Sequence, residues 1–242
     1  MSHIPKLLNA FSRLLSYPDE STAQAVELLY VVLQGELPET ASEAAKFGTF
    51  VEQHELWEVE EAFTRTFDVN PACALEVGWH LFGEEYARGM FLVRMREEMR
   101  KYNLPESVEL PDHISHVLAI VAAMPAEEAT RFVRACVQPA VETMNQAFQG
   151  KDSPYGEVVA CLASVLKHTW GENAHADDPP AACESRPFES DPLRAFPVAD
   201  VGCGSGCGSS CGGNVQVVPL QIDLPTTAEQ SNPPTPSETK RP

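Results

Sequence analysis

The chain has 242 residues and a formal charge of −18, from 35 Asp and Glu against 17 Lys and Arg. That length supplies ample material for a core in one or two domains. So negative a field repels nucleic acid and anionic membrane surfaces and favours basic partners, which argues against a nucleic-acid role.

No apolar run approaches the ~20 residues of a membrane span. Met1 to Tyr17 is amphipathic, and no small-residue cleavage site comes after it as it would in an export signal. The chain also lacks an Arg-Arg pair, so the cytoplasm is the default compartment and stable membrane insertion is not expected. Cysteines stand at 73, 136, 161, 183, 203, 207 and 211. Their odd count, and the apolar helical patterns around the first three, point to reduced thiols.

In chain order, residues 1 to 171 read as nearly continuous helix punctuated by Pro and Gly. Ile4, Leu7, Leu8, Phe11, Leu14 and Leu15 recur at helical spacing, and Tyr17-Pro18 ends that helix. A second helix starts near Asp19-Glu20-Ser21, a third spans Thr40 to His54, and a fourth covers Leu56 to Phe67. Asn70-Pro71 breaks the pattern, leaving Ala72 to Phe82 open between helix and irregular chain. A long helix runs from about Glu84 to Tyr102 and another from Asp112 to Met124. Pro125, with Glu127 and Glu128 in the first turn, starts the next, which ends at Gly150. Ser153-Pro154 opens the last, closed by Gly171. No strand alternation is present. The expectation is an all-α domain of about eight helices over 1–171.

Beyond Gly171 the composition changes. Residues 172–242 hold 11 of the 20 prolines and a Gly/Ser/Cys run from Gly202 to Gly213. Such a composition cannot offset its own ordering entropy, so this segment reads as a low-complexity, disordered tail. Cys203, Cys207 and Cys211 are candidate soft-metal ligands, with Cys183 or His175 as a fourth. Their spacing matches neither zinc pairs nor the common ferredoxin run, and incidental cysteines are the favoured reading.

Within the body, several charged residues sit where a helix would bury apolar ones. On a helical wheel Glu60 shares a third of the circumference with Leu56, Val59, Phe63 and Phe67. It is either a core-rim residue or a carboxylate lining a groove floored by Phe63 and Phe67. Arg88 shares a face with Phe91, Leu92, Met95 and Met99. Its stem is expected to be buried and its guanidinium paired in a structural ion pair, with Asp68, Glu60 and Glu109 as candidate partners. Gly89 costs about 1 kcal/mol against Ala in a helix, so a close helix approach is expected there.

Asp112 is placed as an N-cap behind Pro111. His113 and His116, at i and i+3, are compatible with a metal beside Asp112, but no H-E-x-x-H pattern supports one and no cofactor is expected. Nucleophile elbow, phosphate loop and dinucleotide fingerprint are all missing. A helical hydrolase built on Asp112 and His113 is the remaining catalytic reading, without a nucleophile to complete it.

Four stretches carry a resemblance when taken in order. They are Leu14-Leu15-Ser16-Tyr17-Pro18-Asp19, Phe63-Thr64-Arg65-Thr66-Phe67-Asp68, Gly83 to Gly89 with its Arg-Gly, and Glu109-Leu110-Pro111-Asp112-His113. The set resembles the redox-enzyme maturation chaperones (the TorD/DmsD/NarJ group), most of all the NarJ-type nitrate reductase delta branch, over roughly residues 5 to 170. The resemblance implies an all-helical, non-enzymatic cytoplasmic chaperone. Such a protein binds the N-terminal leader of a molybdopterin oxidoreductase catalytic subunit until the molybdenum cofactor is inserted. By position it implies leader contacts at Glu60, Phe63, Phe67 and Asp68, with Glu109, Asp112 and His113 opposite. A leader with a basic start and an apolar middle calls for an acidic mouth over an aromatic groove, which these residues can supply. The alternative is a metal or iron–sulfur handling protein acting through the tail cysteines.

Overall fold

The computed structural model describes residues 3–171. The tail 172–242, and with it Cys203, Cys207, Cys211 and their suggested metal, lies outside the described residues. Within 3–171 the structure is all-α: the described residues contain no strand, only one isolated antiparallel bridge between Glu76 and His113.

The elements begin with α1 (Ile4–Leu14), α2 (Thr22–Glu36), α3 (Pro38–Gln53) and α4 (Leu56–Phe63), which widens into a π-turn over Thr64–Asp68. A 3-10 turn, Pro71–Cys73, leads to α5 (Val77–Phe82) and α6 (Tyr86–Lys101). Then come α7 (Ile114–Ala123), α8 (Ala126–Phe132), a second π-turn over Val133–Val137 that runs into α9 (Gln138–Ala147), and α10 (Pro154–Trp170). Pro5, Pro38 and Pro154 stand in first turns, where the missing N–H costs nothing, and Pro139 comes directly after the second π-turn.

α7 is the central element because its sequence, ISHVLAIVAA, is apolar nearly all round. Ile114, Val117, Leu118 and Ile120 are fully enclosed, each burial contributing about 1.5–3 kcal/mol relative to exposure. α1 lays Leu7, Leu8, Phe11 and Leu14 against it, and Ser12 Oγ donates to Ser115 O at 2.8 Å across that contact. Around this pair α2 packs on α1 and α3, α3 on α10, and α10 on α9. Cys73, Cys136 and Cys161 are buried free thiols within the same core.

The π-turn after α4 separates a buried ring from an exposed acid. Its extra residue keeps Phe67 on the inward face started by Phe63, while Asp68 emerges into solvent. Residues 70–77 then stay irregular because Pro71 interrupts the helix and the segment finds other partners. The Trp79 indole N–H donates to Pro71 O at 3.1 Å, and His80 Nε2 lies 2.7 Å from Ala74 O. Val77 N donates to Asp112 O at 2.8 Å and Ile114 N to Leu75 O at 2.7 Å. These last two bonds fasten the 75–77 strip to the entry of α7.

The structure corrects several expectations. Asp112 is not the N-cap of α7. His113 is, its Nδ1 accepting from Ser115 N at 3.3 Å, and Asp112 lies fully buried one residue earlier. Arg88 does form an ion pair, but with Asp112 rather than Asp68, Glu60 or Glu109: Nε donates to Oδ2 at 3.4 Å. Its guanidinium also lies 5.7 Å from the Trp79 ring centre. Gly89 has nothing within 4 Å of where a Cβ would stand, so no helix approaches it. The tight position is Gly78, where a Cβ would meet Asp112 Oδ2 at 2.6 Å and Phe91 Cδ1 at 3.0 Å. Ala72 to Phe82 resolves into the 3-10 turn and α5, and α6 starts at Tyr86 rather than Glu84.

This packing makes the two glycines respond differently to substitution. Gly78→Ala forces a methyl onto a buried carboxylate and lowers unfolding free energy by about 1–3 kcal/mol. Gly89→Ala is neutral or stabilises by up to about 1 kcal/mol; urea unfolding of both variants checks the contrast. For the ion pair, burial raises the Asp112 pKa above the usual carboxylate value while Arg88 pulls it back down. The folded state thus holds that proton more tightly than the unfolded chain, and stability from this group falls as pH rises through the folded-state value. Arg88→Met removes the counter-pull and costs about 3 kcal/mol at neutral pH. The deficit shrinks as pH falls and Asp112 takes up a proton, and Asp112→Asn in the same background recovers part of it. A deficit independent of pH and of Asp112→Asn would show that the pair does not carry the loss.

Candidate functional site

The π-turn, the 70–77 strip and the entry of α7 enclose a cavity of about 340 Å³. Phe63 and Phe67 form its floor, each 4% exposed. The two rings meet edge-on with centres 5.0 Å apart. Beneath them, Tyr155 from α10 stands 5.5 Å from Phe63 and 5.2 Å from Phe67, and Phe148 backs Phe67 at 6.4 Å. Tyr17, just past the end of α1, packs edge-on against Phe63 at 5.7 Å while half its surface stays open. This arrangement arises locally from Pro18, which stops α1 and leaves the tyrosine beside the cavity.

The rim is acidic. Asp68 and Glu109 are exposed and Glu76 is half-buried, and no Lys or Arg lines the cavity. None of the three carboxylates takes part in an ion pair among the described residues. His113 closes the wall. Burial, with His116 nearby, pulls its pKa down to about 4, so at neutral pH it is an uncharged imidazole. Its Nδ1 accepts from the Ser115 amide, which leaves the proton on Nε2.

The structure therefore brings Phe63, Phe67, Asp68, Glu109 and His113 to one cavity. It does not bring Glu60 or Asp112 there. Glu60 remains a half-buried residue of α4, the core-rim alternative, and Asp112 is sealed behind the wall against Arg88. Sequence reasoning missed Glu76, Tyr17 and the Pro71–Leu75 strip as lining. Tyr17 carried a signal, an aromatic residue directly before a helix-stopping proline. Glu76 carried none, because its placement depends on the bridge to His113.

The lining offers apolar surface, negative charge and hydrogen-bond acceptors, but no Ser, Thr or Cys nucleophile. The hydrolase reading of Asp112 with His113 loses its pair, since Asp112 is enclosed and committed to Arg88. The His113–His116 metal idea fails on donor availability. His116 Nδ1 lies 3.0 Å from Leu110 O, to which only an N–H can donate, and Nε2 lies 3.0 Å from Ser107 Oγ. Among the described residues no cluster of ligating side chains can hold a metal, and no helix is long and apolar enough to cross a membrane.

Known proteins share this architecture. The NarJ nitrate reductase molybdenum cofactor assembly chaperone of Escherichia coli (strain K12) is 25% identical over 205 residues, covering 80% of this chain and 85% of that protein. Its counterpart in Escherichia coli O157:H7 matches equally. A crystal structure from Archaeoglobus fulgidus, solved as a candidate redox enzyme maturation protein, superposes with a TM-score of 0.50 at 21% identity. It covers 69% of this chain and 96% of that one, which supports the fold. The family model for the nitrate reductase delta subunit matches residues 34–160, more than half the chain and every cavity residue except Tyr17. The chain belongs to the nitrate reductase delta subunit family.

Proposed function

We propose that this protein is a cytoplasmic chaperone for the catalytic subunit of a nitrate reductase-like molybdoenzyme. It binds that subunit's N-terminal leader and holds the subunit for molybdenum cofactor insertion before membrane attachment or export. Family membership and the similarity to NarJ support the client class. The observation that carries leader binding is the cavity itself, an aromatic floor under three carboxylates with no Lys or Arg among its lining residues.

The physical case rests on complementarity. A basic leader start gains from Asp68, Glu76 and Glu109 at once, and the apolar side chains after it cover Phe63 and Phe67. Rim charges are solvated, so each contributes about 1 kcal/mol or less. Micromolar affinity needs about 8 kcal/mol, more than the rim charges give, so most of it comes from burial of the leader's own apolar side chains. The net charge of −18 adds long-range attraction for a basic segment and raises the encounter rate.

Double charge reversal, Asp68→Lys with Glu109→Lys, weakens a leader peptide with a basic start by roughly tenfold or more. It also flattens the salt dependence of binding. Both residues are exposed, so the melting temperature stays close to wild type. Glu60→Gln changes affinity by less than about twofold because Glu60 does not line the cavity. Titration calorimetry at two salt concentrations reads both effects. Loss on Glu60→Gln with retention in the double reversal would move the leader to another face.

A further inference from the structure

A second cavity of about 360 Å³ adjoins the first and shares Tyr17 and Glu109 with it. It lies between the end of α1, the end of α6, the 104–109 loop and α7. The chemistry differs across the shared pair. Met99, Leu104, Pro105, Val108 and Ala119 line the second cavity beside four serines and His116, and its open surface is mostly apolar. Apart from the shared Glu109, its charged residues are already satisfied: Arg13 is paired with Asp19 and bonded to Ser21, and Glu106 faces Arg100 at 3.8 Å and Arg96 at 4.0 Å. The first cavity has the reverse character, three carboxylates outside any ion pair and no Lys or Arg.

The loop between them is held in place while its apolar side chains stay uncovered. Asn103, at φ 53°, ends α6 and turns the chain outward, and Leu104 N returns to Met99 O at 2.9 Å. His116 then fastens the loop at two points. Nδ1–H donates to Leu110 O, and Nε2 accepts from the Ser107 hydroxyl, whose oxygen accepts from Glu109 N at 3.1 Å. On this anchored loop Val108 is 99% exposed and Leu110 45% exposed, on either side of Glu109. Exposed aliphatic residues on an ordered loop beside an apolar cavity mark a surface that is completed by a partner.

Building on the leader-binding reading, we propose that the two cavities form one directional groove. The basic start of the leader sits in the acidic cavity, and its apolar continuation crosses between Tyr17 and Glu109 into the second, under Val108. The opposite direction places cations among Met99, Leu104 and Val108 and apolar side chains among Asp68, Glu76 and Glu109, which desolvates charge without compensation. Tyr17 and Glu109 are the specificity residues of the crossing, and His116 is the positioning residue that sets the height of Glu109 and Val108.

The test uses the full chain and a synthetic peptide with paired arginines at its start and a leucine-rich stretch after them. A photoreactive benzoylphenylalanine is placed beside the arginines in one version and within the leucines in the other. Mass spectrometry then maps the cross-links. The arginine-end probe is expected on residues 68–76, and the leucine-end probe on 99–108. Exchanged cross-links overturn the direction while leaving leader binding intact. A bound peptide cross-linked to neither cavity, or a peptide that does not bind, overturns the leader-binding reading and the direction with it.

Affinity gives an independent readout that a merely structural effect does not produce. Glu76→Gln weakens the arginine peptide by roughly threefold to fivefold but leaves a peptide with glutamines in place of the arginines unchanged. Val108→Asp, at a fully exposed position, weakens both peptides alike. If Val108→Asp instead discriminates between them and Glu76→Gln does not, the assigned direction is wrong.

Discussion

The Asp112 carboxylate is the point at which the cavity wall is tied to the core. It is fully enclosed, with one oxygen on Arg88 and the other without a hydrogen-bond partner. A buried charge with one oxygen unpaired is costly, and a lone pair interaction at 3.4 Å does not fully compensate. What keeps Asp112 in place is its backbone. Its carbonyl holds Val77, and the next two residues cap and begin α7. Gly78 completes the arrangement, since any side chain there would strike the carboxylate. Arg88 on α6, Gly78 on α5 and Asp112 at the head of α7 thus form one three-helix junction, and Glu76 and His113 face the cavity because this junction sets their backbones.

The floor depends on a different kind of contact. Tyr155 is fully buried and touches Phe47, Phe63 and Phe67, so α3, α4, its π-turn and α10 converge on one ring. Its hydroxyl has no hydrogen-bond partner, and burial pushes its pKa above the ordinary phenol value. Edge-to-face rings add about 0.5–1.5 kcal/mol each beyond their area, and they also fix ring orientation. The end of α10 is held as well, with Arg134 donating to Trp170 O and Gln138 to Gly171 O. A floor anchored in this way does not have to be ordered when a ligand arrives, which lowers the entropic cost of binding.

Much of the fold was legible in the sequence because it depends on local rules. The apolar period of α1, the Ser153-Pro154 start of α10 and its glycine end are each set by residues within one or two turns, whereas α3 starts at Pro38, two residues before the expected Thr40. Phe63 and Phe67 were legible as neighbours for the same reason, since they lie four positions apart on one helical face, whereas Asp68 entered only through the family resemblance. The larger failures all involve tertiary pairing. Arg88 had the right environment and the wrong partner, because proximity to Asp112 arises only when α6 crosses the head of α7. Asp112 looked like a cap since Asp after Pro is good capping chemistry, yet burial against Gly78 claimed it and passed the cap to His113. Gly89 and Gly78 are indistinguishable by composition, and only the packed structure shows that the second is the constrained one.

The two classes of residue at the site obey opposite rules. Those that hold it are buried and either apolar, neutral or paired: Phe63, Phe67, Tyr155, His113, and Asp112 with Arg88. Those that face outward, Asp68, Glu109, Val108 and Leu110, are exposed, and each lacks what its chemistry would normally acquire. The two acids lack an opposite charge, and the two aliphatic residues lack cover. Some acids elsewhere are paired, as Glu157 with Lys46 and Glu98 and Glu128 with Lys101 show. Three carboxylates without a Lys or Arg beside them, gathered around one aromatic floor, sum to a negative field at the cavity. On the proposed reading, that field draws in a basic segment, the aromatic floor meets the apolar residues that come next, and the uncovered Val108 and Leu110 lie where those residues would continue.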